Sequence, residues 1–197
     1  RSCRREAPVD LPDALSAGAQ DGLDRLFYKE RYSSRKALVR LSEDLNADLD
    51  LERTSERLLE GVGTALGLRE LALLLPGEGG ELLPFRTRGV PRTGAGRPRI
   101  AAGSPLLARL SLGQPVDVDA APAERGDVAA SGLAWLFPCR VKGDVIAVLG
   151  VGRKDGLDPL NSEEVDLLQA LARVLDWPRR RVDEGGTVRL PGARGRA

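Results

Sequence analysis

The stretch GLAWLFPCRVKGDVIAVLGVGRKDG, residues 132–156, decides the fold. Two apolar runs flank Lys142-Gly143-Asp144, a pattern that reads as a β-hairpin closed by a tight turn. Placing Gly143-Asp144 as the two-residue turn sets Lys142 opposite Val145. Counting outward, Cys139 then faces Val148, Phe137 faces Gly150 and Trp135 faces Gly152. Large rings would cover glycine backbone on one side of the sheet. Leu136, Pro138, Ala147, Leu149 and Val151 make the opposite side apolar as well. A hairpin apolar on both faces is central and covered on both. Pro138 has no N–H to give, so pairing beside it is interrupted by a bulge or a short neighbour.

The same stretch does not cradle a phosphate. Gly150 and Gly152 follow a strand, but Arg153-Lys154-Asp155-Gly156 opens a turn rather than a helix, and the third glycine is misplaced. No Walker sequence occurs elsewhere.

Outward from the hairpin, the chain alternates helices and short strands. Leu23, Leu26 and Phe27 begin a helical pattern that resumes with Leu38, Leu41, Leu45 and Leu49, a narrow stripe suited to a two-helix seam. Asp50 can cap the next helix, whose stripe is Leu51, Leu58, Leu59, Val62 and Leu66, with Gly67 as its stop. Residues 71–75 form a continuous apolar run ended by Pro76-Gly77, and residues 81–88 pair back after a glycine turn. Residues 89–103 read as a basic loop. Ser104-Pro105 opens a helix through Leu106, Leu107 and Leu110, then residues 116–118 form a strand and 120–132 a connector. Asn161 and Glu164 make a capping box for a last helix with stripe Val165, Leu168, Leu171 and Leu175, ended by Pro178. Strands joined by short turns imply an antiparallel sheet with helices on its faces, an α+β class.

Composition excludes several chemistries. The chain has 197 residues, 42% hydrophobic and 30% charged, with a formal net charge of +1. One domain with appendages fits that length, and no global field points to nucleic acid or an anionic membrane. No apolar run approaches the roughly 20 residues that span a bilayer. The chain holds no histidine, which removes Ser-His-Asp and Cys-His catalysis and His-ligated zinc or haem. Its two cysteines, Cys3 and Cys139, lie outside any metal spacing, and a reduced, cytoplasmic setting is the expectation. No metal or cofactor is expected. There is no methionine, so the chain is expected to be cut from a longer protein.

Here the hairpin resembles a known family. Leu136-Phe137-Pro138 with Arg140-Val141, a Lys-Gly-Asp turn and residues 145–150 is similar to the hairpin of GAF domains. The resemblance extends to Asp50-Leu51-Glu52, to Ala65-Leu66-Gly67, and through residues 159–164 to Leu167-Leu168. Residues 23–32 are similar to the lead-in helix of GAF domains in bacterial sensor kinases and serine phosphatases. The resemblance implies a six-stranded antiparallel sheet flanked by helices, often dimeric through its terminal helices. The resulting division is a disordered tail or linker over 1–20, a lead-in helix over 21–35, the GAF domain over 36–177 and a disordered basic tail over 178–197. The family's last helix usually continues towards an effector, and the break at Pro178 departs from that pattern.

The signatures of known GAF ligands are missing. The Asn-Lys-Phe-Asp-Glu constellation of cyclic-nucleotide binders is absent, bilin attachment wants a Cys beside a His, and haem wants an axial His. The GAF-type methionine sulfoxide reductase uses several cysteines, and only Cys139 lies inside this domain. A pocket is expected between the sheet and residues 89–132, where Arg86, Arg88, Arg92, Arg97 and Arg99 could meet an anion; solvated loop arginines are the plainer reading. Arg86, Arg88, Arg99, Trp135, Phe137 and Cys139 are the candidate ligand residues, although aromatics on a buried strand are more often core. The seam at Leu38, Leu41, Leu45 and Leu49 packs on the sheet or on a second copy, and a homodimer is the expectation. Arg125-Gly126-Asp127 matches an adhesion tripeptide by chance.

Three functions compete. The first is a non-catalytic sensory module of a bacterial two-component or related signal-transduction protein. It would bind a small molecule or dimerise to control a kinase or phosphatase domain, with no nucleic acid or membrane partner. The second is a ligand-free dimerisation scaffold. The third is a redox enzyme using Cys139, which requires an exposed thiol that an apolar strand does not offer.

Overall fold

The computed structural model describes residues 35–41, 51–94, 96–122, 125–156, 158–174, 181–182 and 188–189. The elements run α1 (35–41), α2 (Leu51–Leu66), β1 (Leu71–Pro76), β2 (Leu82–Arg88), α3 (Pro105–Ser111), β3 (Val116–Asp117), β4 (Trp135–Val141), β5 (Asp144–Val151) and α4 (Ser162–Val174). Two short strands follow, β6 (Arg181–Val182) and β7 (Val188–Arg189). The main sheet is antiparallel with order β2-β1-β5-β4-β3, so it has five strands among the described residues where the resemblance implied six.

Local chemistry places the helix ends. The α2 stripe of Leu51, Leu58, Leu59, Val62 and Leu66 is buried throughout. The Leu68 N–H closes back on the Gly63 carbonyl at 2.9 Å, the terminal bond of a Schellman stop at Gly67. Ser104 caps α3, its hydroxyl accepting from the Leu107 N–H at 3.2 Å. The capping box of α4 is reciprocal: the Asn161 N–H donates to Glu164 Oε2 and the Glu164 N–H to Asn161 Oδ1, both at 2.9 Å. Lys154 Nζ adds 2.6 Å to the other Glu164 oxygen, fastening the loop after β5 to the start of α4.

Strands β1, β4 and β5 are covered on both sides. Helices α1, α2 and α4 lie on one side over Leu71, Leu73, Leu75, Phe137, Cys139, Ala147, Leu149 and Val151. On the other side, α3 and the connecting loops cover Ala72, Leu74, Leu136 and Val148 with Val90, Ile100, Val118, Val128 and Leu133. We call these the helix side and the loop side.

The hairpin register differs from the sequence expectation by one residue. Val141 pairs with Asp144, so Lys142-Gly143 is the turn, with φ of 52° and 95° at its two positions. Two left-handed residues make a type I′ turn, whose twist matches the strands; that match outweighs the cost of a left-handed lysine. Arg140 then faces Val145 and Cys139 faces Ala147, leaving Ile146 as a bulge. Phe137 consequently faces Leu149 and Trp135 faces Val151, not Gly150 and Gly152. Ala147, Leu149 and Val151 share the helix side with the rings rather than lying opposite them. Gly150 is covered by Leu133 instead, 2.7 Å from where a methyl group would stand. The interruption at Pro138 is a short neighbour: β3 pairs only with Trp135 and Leu136 and stops before it.

A second bulge sits in β2. Leu74 faces Pro84 while Leu73 faces Arg86, so Phe85 is the extra residue, next to a proline on an edge strand. Phe85 and Arg86 therefore both turn to the helix side, and Arg88, opposite Leu71, follows.

The expected leucine seam begins inside the domain. Leu38 is 2% exposed within the helix-side core, and Leu41 packs on Gly61 of α2. That packing spends Leu38 on its own chain and leaves it no surface for a second copy. Leu45 and Leu49, the expected cap Asp50, the lead-in residues 23–32, and Leu175 and Pro178 lie outside the described residues. Within 178–197, read from sequence as a disordered tail, β6 and β7 pair antiparallel, and β6 lies beside β1.

Two outcomes test this packing. Leu38→Ala lowers unfolding stability by about 2–5 kcal/mol, the cost of a large buried aliphatic truncation, measured by chemical denaturation. A seam used only between copies would instead weaken association and leave the unfolding midpoint at low concentration unchanged. Lys142→Asn, which accepts the left-handed turn more readily, raises stability by roughly 0.5–1 kcal/mol; a lower melting temperature would refute the turn assignment.

Candidate functional site

The loop side combines an apolar floor with a charged rim. Ala72, Leu74, Leu136 and Val148 supply the floor, and Val90, Ile100, Leu106, Leu110, Val128 and Leu133 lie over it. Glu70, just before β1, follows the same alternation as Ala72 and Leu74 and stands at the floor's edge. The Gly152 N–H donates to the Glu70 carbonyl at 2.6 Å. A methyl group on Gly152 would lie 2.7 Å from Glu70 Cβ and 2.9 Å from its Oε2, so only glycine lets the half-buried carboxylate lie there.

Three arginines stand around this side with different duties. Arg125 donates to the Val118 and Asp119 carbonyls at 2.7 and 2.6 Å, pinning the connector after β3. Arg153 donates to Asp119 Oδ2 at 2.5 Å, and the same carboxylate lies 3.3 Å from Arg125. Both guanidinium groups thus have a local partner in Asp119. Arg97 differs, because its Nε is buried and has no hydrogen-bond partner among the described residues. Its N–H closes a turn on the Gly94 carbonyl at 3.3 Å, and the preceding Gly96 packs against the Ala130 carbonyl of the 3₁₀ turn Gly126–Ser131. A half-buried arginine with an unmet donor is suited to an anion, and the apolar floor of the loop side suits an apolar body.

The structure does not bring the six candidate ligand residues together. Trp135, Phe137 and Cys139 face the helix side, where the two rings stack with centroids 6.1 Å apart and Phe137 and Cys139 are fully buried. Arg86 Nη2 reaches Glu52 Oε2 of α2 at 3.1 Å, and Arg88 Nη1 reaches the Leu59 carbonyl at 3.5 Å. Both corrections trace to the β2 bulge: plain alternation from Leu83 would have carried these arginines to the loop side. Arg99 alone stays on the loop, exposed, as does Arg92. Arg97, grouped with them by sequence, has a buried Nε without a hydrogen-bond partner among the described residues, as Arg86 does on the helix side. Glu70 has no motif in the sequence, and its only signal is its place two residues before Ala72 at the start of an apolar strand. The Arg125-Gly126-Asp127 tripeptide offers no arginine to a partner, since that guanidinium is bound to its own backbone.

Among the described residues, no group of three or more Cys, Asp or Glu side chains could hold a metal ion. No helix among them is long and apolar enough to cross a membrane.

No curated protein matches this chain in sequence. Solved structures resemble its fold. The GAF domain of a phosphoenolpyruvate-protein phosphotransferase from Coxiella burnetii is 19% identical, with a TM-score of 0.58 over 73% of this chain and 90% of that one. A free methionine-R-sulfoxide reductase from Neisseria meningitidis, solved with its substrate, is 20% identical, with a TM-score of 0.58 over 73% of this chain and 86% of that one. Residues 122 to 287 of a methyl-accepting chemotaxis protein give 17% identity and a TM-score of 0.53, covering 68% of this chain and 91% of that one. The family model for the GAF domain matches residues 50–176, most of the folded part, and the chain belongs to that family of regulatory and sensory modules.

Proposed function

We propose that this chain is a non-catalytic sensory module of a bacterial signal-transduction protein, binding a small molecule on its loop side to control an effector domain. The apolar floor covered by loops carries this reading, and Arg97, on the loop between Val90 and Ile100 of that cover, adds a buried Nε without a partner among the described residues. A donor left unsatisfied in a buried setting costs about 1–3 kcal/mol, and an anionic ligand group would recover that cost. Glu70 at the same rim would meet a donor or a cation. The ligand is therefore small, with an apolar body and an anionic group. Occupancy would shift the population between two arrangements of the loops and helices, and a kinase or phosphatase is the effector class that fits. Full burial of Cys139 weighs against thiol chemistry, which needs an accessible thiolate.

Native mass spectrometry of the protein purified without denaturation tests the reading. The expected result is extra small-molecule mass on the wild type that Arg97→Ala loses and Arg99→Ala keeps. A clean apo spectrum, with no thermal stabilisation by any anionic metabolite in a screen, would favour a ligand-free scaffold instead.

A further inference from the structure

Helix α2 carries two glycines near its end, Gly61 and Gly63, although glycine is a poor residue for a helix interior. Both vacated positions are filled from outside the helix. A methyl group on Gly61 would stand 2.6 Å from Leu41 Cδ2 of α1. One on Gly63 would collide with the Arg88 guanidinium, and would lie 3.2 Å from the Leu68 carbonyl oxygen. Residues two apart on an α-helix point about 200° away from each other. The two seats thus open on opposite sides of α2, with Val62 fully buried between them.

The occupant of the Gly63 seat stands where the chain changes sides. Arg88 is the last residue of β2 and faces the helices, its Nη1 directed at the Leu59 carbonyl. Gly89 passes close against the Arg69 carbonyl, and Val90 is already buried in the loop-side cluster. Three consecutive residues therefore join the loop over 90–103 to α2. The neighbouring seat joins α2 to α1.

We infer that Arg88 in the Gly63 seat is a conformational latch that couples the loop over 90–103 to helix α1. The seat has two states, filled by the guanidinium or vacated by it. When the loop moves, Val90 draws Arg88 with it, the last turns of α2 lose their clamp, and Leu41 loses its fixed surface on Gly61. This coupling rests on the contacts of α1, α2 and β2, and it holds whether or not Arg97 meets a ligand.

Hydrogen–deuterium exchange on the full chain tests the latch, using Arg88→Ala and Gly63→Ala. The second substitution expels the guanidinium and improves helix propensity, but its methyl group also crowds the Leu68 carbonyl, so exchange in β4 and β5 serves as the control for general destabilisation. Both variants are expected to speed exchange in residues 35–41 and 90–103 by roughly 2- to 30-fold, the range for substitutions along a coupled network. Exchange in β4 and β5 stays at the wild-type rate. Unchanged exchange in residues 35–41 in both variants would overturn the proposal. So would a uniform acceleration in Arg88→Ala alone, which would make Arg88 a structural anchor and nothing more.

Discussion

Strand β1 has no exposed face. From Leu71 to Leu75 every residue is at most 1% exposed, with helices over the odd positions and loops over the even ones. In such a strand the side on which each neighbour's side chain falls is decided by pairing register alone, and one extra residue reverses it. The molecule contains two such reversals, at Phe85 in β2 and Ile146 in β5. The first sends Arg86 and Arg88 to α2, where Glu52 and the Leu59 carbonyl receive them. The second brings Ile146 and Ala147 together into the helix-side core.

That division assigns different work to the two sides. The helix side holds the stacked Trp135 and Phe137, buried Cys139 and the anchoring Leu38, and it fixes α1, α2 and α4 on the sheet. The loop side holds smaller aliphatic side chains under a cover of loops and a rim where Glu70 and Arg97 stand. Stability concentrates in the first and chemical variety in the second, as is usual for loops carried on a rigid scaffold. Residues 88–90 join the two.

Much of the fold was legible because its signals are local. Asn161 and Glu164 announce a helix start through atoms three residues apart, and both reciprocal bonds form. Ser104-Pro105 and the α2 stripe are equally local, and the apolar run at 71–75, short and ended by Pro76-Gly77, reads as a strand covered on both sides. The hairpin is legible as a hairpin, but its turn falls one residue earlier than Gly143-Asp144 suggests. Asp144 belongs to β5, and Lys142 takes the left-handed conformation that sequence alone assigns to glycine. Register errors propagate, so every facing pair above the turn was displaced. The site was less legible still. Nothing in Leu82-Leu83-Pro84-Phe85 marks where a bulge falls beyond the proline itself, and without it Arg86 and Arg88 read as loop-side groups. Glu70 carries no motif; the two glycines that make room for it, Gly132 and Gly152, are more than sixty residues away in sequence.

The bulge at Phe85 turns the end of β2 towards α2. Nuclear Overhauser contacts of the Arg88 side chain measure that directly. The expected result is contacts from the Arg88 δ and ε protons to the Gly63 α protons and to Leu59. Contacts from Arg88 to Ala72 or Val90, with none to Gly63, would contradict it and return both arginines to the loop side.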